Sequence, residues 1–187
     1  QRKIEMWPSL RDATPKSGHR FFFQLHQAGK LSGVITQNID GLHAKAGLPR
    51  DKIVRIHGTN AEIVCLSCGR ILPAEQLMEG LEPGGPAPRC SECGGLLKPN
   101  TISFGQSLDP HELDRAEELS AHCDLMLCLG STLVVHPAAG FPAMAARRGT
   151  ALVIVTLSET PLDSSATVLI NRPIGEVVGE LRTQLGW

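Results

Sequence analysis

Four of the six cysteines fall in two C-x-x-C pairs, Cys65 with Cys68 and Cys90 with Cys93, separated by 21 residues. Each pair is followed by glycine, Gly69 in one case and Gly94 with Gly95 in the other. Glycine there lets the backbone turn tightly and aim its amides at thiolate sulfur. Two such knuckles close a tetrahedral Zn2+ site, one ion per chain. Four protein thiolates leave no coordination position open for water, so the ion holds structure and does not catalyse. Two redox pairs or four unconnected thiols would not explain the paired glycines. Cys123 and Cys128 sit in or beside an apolar run and read as packing residues.

Three further stretches gather groups able to meet a ligand. In "TQNIDGLH", Gln37, Asn38 and Asp40 follow directly on the apolar pair Val34 and Ile35. In open α/β sheets ligands bind beyond the carboxyl ends of strands, so such groups are placed to meet one. In "GSTLVVHP", Gly130 permits close backbone approach, and Ser131 and Thr132 offer hydroxyls to a ribose or phosphate. In "RIHGTN", His57 closes a β-rich run and can act as a general base. Each cluster also has a plain structural reading. Asn and Asp form turns after strands, Gly-Ser-Thr is ordinary loop composition, and a histidine can simply hydrogen-bond within a core.

The elements that must position these groups alternate short β-rich runs with helical stretches, as βαβ units around a parallel sheet do. Strands are expected at Gly33–Gln37, Ile53–Ile56, Asp124–Leu129 and Ala151–Thr156, with a weaker one at Thr167–Ile170. Helices are expected at Lys16–Ala28, Pro110–Ala121, Pro137–Arg148 and Gly175–Leu185, the first and third stopped by Gly29 and Gly149. The stretch Ala61–Ser103, with four cysteines and "GLEPGGPAPRC", breaks the alternation and reads as an inserted module. The division expected is therefore 1–60 with 104–187 for the sheet domain and 61–103 for the small zinc-binding domain.

Composition narrows the function classes. With 187 residues, 42% of them hydrophobic, and a net charge of -1, the chain can bury a core and lacks the charge excess of a disordered protein. No run of about 18 apolar residues spans a bilayer, and "QRKIEMWPSL" lacks the apolar centre of a signal peptide. The expectation is a cytoplasmic, reducing location, no membrane, and cysteines used as ligands rather than disulfides. Direct nucleic-acid binding is not expected, because Glu62, Glu75, Glu79, Glu82 and Glu92 leave the ribbon region without a basic stripe. Trp7 and Trp187 read as packing residues near the termini.

Taken together and in this order, "TQNIDGLHAKAG", "IHG", the two C-x-x-C pairs, "LKPNTISFGQ", "GSTLVVHP" and "TLSETPLD" resemble the sirtuins, the NAD-dependent protein deacylases. The likeness runs from about His19 to about Val178. It implies a Rossmann-like parallel sheet with an inserted zinc ribbon and NAD as co-substrate. Gln37, Asn38, Ile39 and Asp40 would line the nicotinamide and ribose end of the NAD pocket, with Asp40 and the Ile39 backbone on the carboxamide and Asn38 ordering the ribose or a nearby water. Gly130, Ser131 and Thr132 would hold phosphates and the adenine ribose. Thr156 and Ile174 would lie near the adenosine, and Ile102, Phe104 and Gly105 would line the acyl-lysine tunnel and offer a backbone edge to an extended peptide. The family chemistry begins with attack of the acyl-lysine carbonyl oxygen on the anomeric carbon of the nicotinamide ribose. Nicotinamide leaves, and His57 would then activate a ribose hydroxyl against the alkylimidate. Lysine and O-acyl-ADP-ribose result.

The sequence departs from the family pattern in three places. A first strand and glycine-rich loop of the form G-A-G-x-S followed by S-G-I-P-x-F-R have no counterpart in these residues, so a fragment or a member with weakened NAD binding is expected. Gln106 stands where many members have Glu, and Thr156 stands where an asparagine commonly meets the adenine ribose. A tyrosine and an arginine that select acidic acyl groups in the family also belong to the absent part, and the chain contains no tyrosine. Deacetylation is thus the default among acyl groups. The alternatives are an NAD-consuming ADP-ribosyltransferase or NAD hydrolase, which would make no O-acyl-ADP-ribose, and a non-catalytic acyl-peptide-binding fragment.

Overall fold

The computed structural model describes residues 2–103 and 105–187. Two helices, α1 (Arg2–Asp12) and α2 (Ser17–Gln27), precede the first strand, β1 (Val34–Thr36). A one-turn helix α3 (Leu42–Lys45) and a 3-10 turn at Arg50–Lys52 lead to β2 (Ile53–Arg55), which pairs with β1 in parallel, Val34 opposite Ile53 and Thr36 opposite Arg55. The chain then leaves this pair. Strands β3 (Gly58–Cys65), β4 (Ile71–Pro73) and β5 (Leu97–Thr101), with the one-turn α4 (Glu75–Met78), form an antiparallel sheet in the order β4-β3-β5. Helix α5 (Pro110–His122) returns it to β6 (Leu125–Leu129), α6 (Gly140–Arg147), β7 (Ala151–Val155), β8 (Val168–Ile170) and α7 (Ile174–Leu185). Strands β6, β7 and β8 make a second parallel sheet in that order.

Local chemistry explains most of these boundaries. Helix α5 starts where the Asp109 side chain accepts from the His111 amide at 3.0 Å and Pro110 takes the first helical position. Helix α7 ends at Gly186, which adopts φ +72 as a left-handed cap. All five parallel-sheet strands lie within one residue of the ends the sequence implies. Helix α6 differs, opening at Gly140 instead of Pro137. The chain first makes a tight turn in which the Ala139 amide donates to the Val135 carbonyl and the Gly140 amide to that of Pro137. Helix α1 was not expected at all. Its inner face is the short row Ile4, Trp7 and Leu10 packed on the ribbon cluster, and Pro8 inside it masks that row as a helical signal.

Packing ties these elements together through several apolar clusters. Val54 and Ile56 pack on Ala116 of α5 and on Ala138 and Phe141, while Cys128, Leu152 and Ile154 form the interior of the second parallel sheet with Leu133. Cys128 is a packing residue as expected, and burial pushes its thiol up to about 12. A separate cluster joins Ile63, Cys65, Ala74, Met78, Cys90 and Leu97 of the ribbon region to Trp7 of α1. Trp187 packs on Phe21, ring centroids 6.0 Å apart. Glu112 of α5 is buried and accepts from Arg50 Nη2 and from the Arg55 amide, each at 2.7 Å, so it fastens α5 to β2. Among the described residues no helix is long and apolar enough to cross a membrane.

Candidate functional site

The four ribbon cysteines converge. Their sulfur atoms all lie within 4.8 Å of one another, with Cys65 Sγ 3.5 Å from Cys93 Sγ and Cys68 Sγ 3.9 Å from Cys90 Sγ. A tetrahedral ion with Zn–S bonds of 2.3 Å requires sulfur–sulfur edges of about 3.8 Å, so the donor set fits zinc. The knuckle amides aim as the glycines imply. Those of Cys68 and Ser67 favour the Cys65 thiolate and hold its pKa down to about 6, and those of Glu92 and Cys93 lower that of Cys90. Gly69 and Gly94 take φ +73 and +70, the left-handed values each turn needs. Four thiolates this close repel one another unless a divalent cation lies among them, which is the electrostatic reason for the ion.

The polar groups after β1 form two successive turns. Thr36 Oγ1 accepts from the Asn38 amide at 3.0 Å, and Asp40 Oδ1 accepts from the Leu42 amide at 2.9 Å, with Gly41 at φ +72 between them. This folds Gln37–Gly41 over the strand end and leaves Asn38 exposed, with Gln37, Ile39 and Asp40 half-buried. The Ile39 carbonyl accepts from the Asn60 amide at 2.8 Å, so the segment is also pinned to β3.

His57 sits on the two-residue step between β2 and β3. Its Nδ1 lies 3.2 Å from the Gln37 carbonyl oxygen. A carbonyl only accepts, so Nδ1 carries the hydrogen, and in the neutral ring the lone pair is on Nε2. The His57 carbonyl accepts from the Ile102 amide at 3.0 Å, which sets the residue against the strand that continues into "TISFGQ". Gly58 follows at φ +73, and a Cβ on it would overlap the Asn100 carbonyl oxygen. No other residue type fits there without moving β5.

The third cluster closes the rim. Gly130 has φ +65, and a Cβ on it would come 2.7 Å from Ile174 Cδ1. Its amide donates to the Val155 carbonyl at 2.9 Å, and Ser131 Oγ accepts from the Leu133 amide at 3.2 Å. Gln37 Nε2 reaches Ser131 Oγ at 3.5 Å, the long end of hydrogen-bond range, joining the ends of β1 and β6. Thr156 is buried just past β7, its Oγ1 3.3 Å from Ser158 Oγ.

The structure therefore links Gln37, His57, Ser131 and Ile102 through direct contacts and sets Gly130 against Ile174. Thr132 and Gly105 are exposed, and Phe104 lies outside the described residues. One residue of the rim was missed by sequence reasoning. His43, in the quoted "TQNIDGLH", is 91% buried, its ring 4.8 Å from that of His19 and 5.6 Å from that of Phe22. Burial, with His19 adding to it, pushes its pKa down to about 4, so it is a neutral wedge beneath Asp40. Its place three residues after Asp40, on the first turn of a helix, was the available signal.

A Rossmann-like α/β scaffold of parallel strands, carrying a four-cysteine zinc ribbon immediately after a strand-end histidine, is the class that fold and site define. The chain belongs to the Sir2 family, whose model matches residues 2–137. It is 40% identical over 179 residues to an NAD-dependent protein deacetylase of Rhodopseudomonas palustris, covering 96% of this chain and 71% of that one. It is 39% identical over 174 residues to an NAD-dependent protein deacetylase of Thermotoga maritima, covering 93% and 69%. Among solved structures, Sir2 bound to acetylated peptide superimposes with a TM-score of 0.89 at 36% identity over 95% of this chain and 74% of that one. A Sir2 complex with a p53 peptide and NAD+ gives 0.88 at 37% identity over 95% and 73%.

Proposed function

We propose that this chain is an NAD-dependent protein lysine deacylase, a deacetylase by default, that yields nicotinamide, deacylated lysine and O-acyl-ADP-ribose. The observation that carries the reading is the contact chain through His57. Its ring bonds to the Gln37 carbonyl of the nucleotide loop, and its own carbonyl bonds to the Ile102 amide of the peptide edge. One residue thereby faces both substrates.

In this reading Nδ1–H is fixed by the Gln37 carbonyl, and the free Nε2 accepts the proton from a ribose hydroxyl. Gln37, Asn38, Ile39 and Asp40 hold the nicotinamide ribose, with Asn38 a catalytic partner that orders the ribose or a water. Gly130, Ser131 and Thr132 take the phosphates and adenine ribose, the glycine at Gly130 letting Ile174 close against the turn. Thr156 and Ile174 take the adenosine. Ile102, Phe104 and Gly105 pair with the extended acyl-lysine peptide as an added strand. Cys65, Cys68, Cys90 and Cys93 hold zinc, which stabilises the ribbon and takes no part in the chemistry. Residues 1–60 with 104–187 form the nucleotide domain and 61–103 the zinc domain, and the protein works in the cytoplasm.

The test is mass spectrometry of an acetyl-lysine peptide incubated with the chain and NAD. Deacetylated peptide together with O-acetyl-ADP-ribose is the expected outcome. Nicotinamide release without O-acetyl-ADP-ribose would assign the chain to ADP-ribosyl transfer or NAD hydrolysis instead.

A further inference from the structure

The step that carries His57 is braced by a side chain with no part in the chemistry above. Strand β2 ends at Arg55 and β3 begins at Gly58, so the chain passes from a parallel pair into an antiparallel sheet in two residues. Backbone pairing fixes the geometry there in part, through the Ile102 amide on the His57 carbonyl and the pairing of Gly58 with Thr101. Against β5 the register then shifts before Ile63 pairs with Pro99, while on its other edge Glu62 pairs with Pro73 of β4. Glu62 lies within that shift on the β5 side and uses both carboxylate oxygens. Oε1 accepts from Arg55 Nη1 at 2.7 Å, and Oε2 accepts from Asn100 Nδ2 at 2.9 Å.

The two partners are placed with respect to the site. Arg55 stands two residues before His57, and Asn100 stands two before Ile102. The Arg55 and Glu62 side chains are only 19% and 26% exposed, so the pair is sheltered from the full screening of water. Burial pushes the Glu62 carboxyl up, but hydrogen bonds from Arg55 and Asn100 outweigh it and hold the group below its ordinary range. Arg55 is anchored from behind as well, its amide donating to buried Glu112 at 2.7 Å. The result is a rigid line from α5 through β2 and β3 to β5.

We propose that Glu62 is a positioning residue that sets the separation between the His57 imidazole and the Ile102 peptide edge. It touches neither substrate and acts through the strands that carry them. The proposal rests on the reading of His57 as the base, because a misplaced edge matters only if the base must reach the acyl-peptide's ribose adduct. A misplacement of about 1 Å in a reacting pair costs on the order of 100-fold in rate.

The experiment compares the wild-type chain with Glu62→Ala, Glu62→Gln, His57→Ala and the His57→Ala/Glu62→Ala double variant. Glu62→Ala is expected to lower kcat for acetyl-peptide by about 10- to 100-fold. KM for NAD should change far less than kcat, because the Glu62 side chain bonds to Arg55 and Asn100 and to no residue of the nucleotide loop, and zinc should remain at one per chain. Glu62→Gln, which still accepts from Asn100, should recover part of the loss. The double variant should be no slower than His57→Ala alone, since Glu62 acts through that residue. A readout without turnover is hydrogen exchange at the Ile102 amide, which should quicken at least tenfold in Glu62→Ala while the amides of β6 and β7 keep their rates. Unchanged exchange at Ile102, or a kcat within twofold of wild type, overturns the brace. Full turnover by His57→Ala overturns the base assignment instead, and the exchange rates still decide whether Glu62 holds the two strands.

Discussion

The cysteine cluster and the rim around His57 each bring several polar groups to one place, by opposite routes. In the ribbon, each half of the site is a four-residue knuckle, and only one association, between Cys65–Cys68 and Cys90–Cys93, has to be made by the fold. At the rim, Gln37 meets Ser131 across 94 positions of sequence, and His57 meets Ile102 through a backbone bond from another strand. The first kind of site is written in spacing, because the ligand geometry is imposed locally. The second depends on sheet topology, so each of its pieces is weak alone and only their order is informative.

The sharpest way to separate the two regions is to remove one and ask whether the other survives. Cys65→Ser takes away a ligand that is also a member of the ribbon's apolar cluster with Trp7 and Met78. Structural zinc contributes about 10–16 kcal/mol of apparent binding free energy in small ribbons. The variant should lose zinc and the ordered structure of β3–β5, measured by metal analysis and amide exchange. The parallel sheets, whose apolar clusters share no residue with the ribbon, should keep slow exchange.

His57→Ala is the complementary change, aimed at the rim. Loss of a general base costs about 100- to 10,000-fold in rate, and steady-state deacylation assays should find a drop of that order. Zinc content and thermal midpoint should stay at wild-type values, because the imidazole is half-buried and its ring bond is to one carbonyl.

The buried histidine beneath the nucleotide loop gives the rim a pH dependence of its own. His43 titrates near 4 in the folded chain and near 6.5 when unfolded. Between those values the unfolded state binds a proton that the folded state refuses. Stability is therefore full above about pH 6.5 and is lost as pH falls toward 4, by up to ~3 kcal/mol at 1.36 kcal/mol per unit. Urea midpoints at pH 7.5 and pH 5 should differ in the wild type and differ less in His43→Gln. Comparing the two proteins cancels the acid sensitivity of the zinc thiolates, which they share. An equal slope in both would assign the acid loss to the metal centre.

Gly58→Ala tests the joint between the regions. The residue adopts φ +73, and its missing Cβ leaves room for the Asn100 carbonyl. A left-handed non-glycine residue costs about 1–3 kcal/mol, and the overlap adds to it. Thermal unfolding should show a loss of at least that size, and kcat should fall because the adjacent His57 moves with the strand.

These cases also mark what the sequence made legible. The parallel strands were found within one residue because Val34, Ile35 and the apolar runs at Leu125–Leu129 and Ala151–Val155 carry both propensity and burial. Helix α1 was not, since its short apolar row Ile4, Trp7 and Leu10 is interrupted by Pro8 and serves another module. The metal ligands were readable from spacing and glycine alone. Glu62 and Glu112 were not, and Glu62 was read only as part of an acidic surface. Apart from Arg115, three residues from Glu112 on the same helix, their partners come from positions 7, 38, 57 and 62 residues away, and no local pattern foretells those pairings.

Lys45 connects the two regions through α1 and carries the smallest expected effect. Its Nζ donates to the carbonyls of Leu10, Arg11 and Ala13 at 3.3, 2.6 and 3.1 Å. It thus caps the C-terminal end of α1, the helix whose Trp7 packs in the ribbon cluster, from the end of α3, which begins at the Asp40 turn. A cation on the last carbonyls of a helix is worth about 0.3–1 kcal/mol when exposed, as Lys45 is. Lys45→Met keeps the aliphatic stem, and chemical denaturation should register a loss within that range, recovered by Lys45→Arg. A larger loss, accompanied by faster exchange at the Leu42 amide, would mean that the ribbon and the nucleotide loop unfold as one cooperative unit through this contact. A loss confined to α1 would mean that the two sites are independent in stability as well as in the way their residues are assembled.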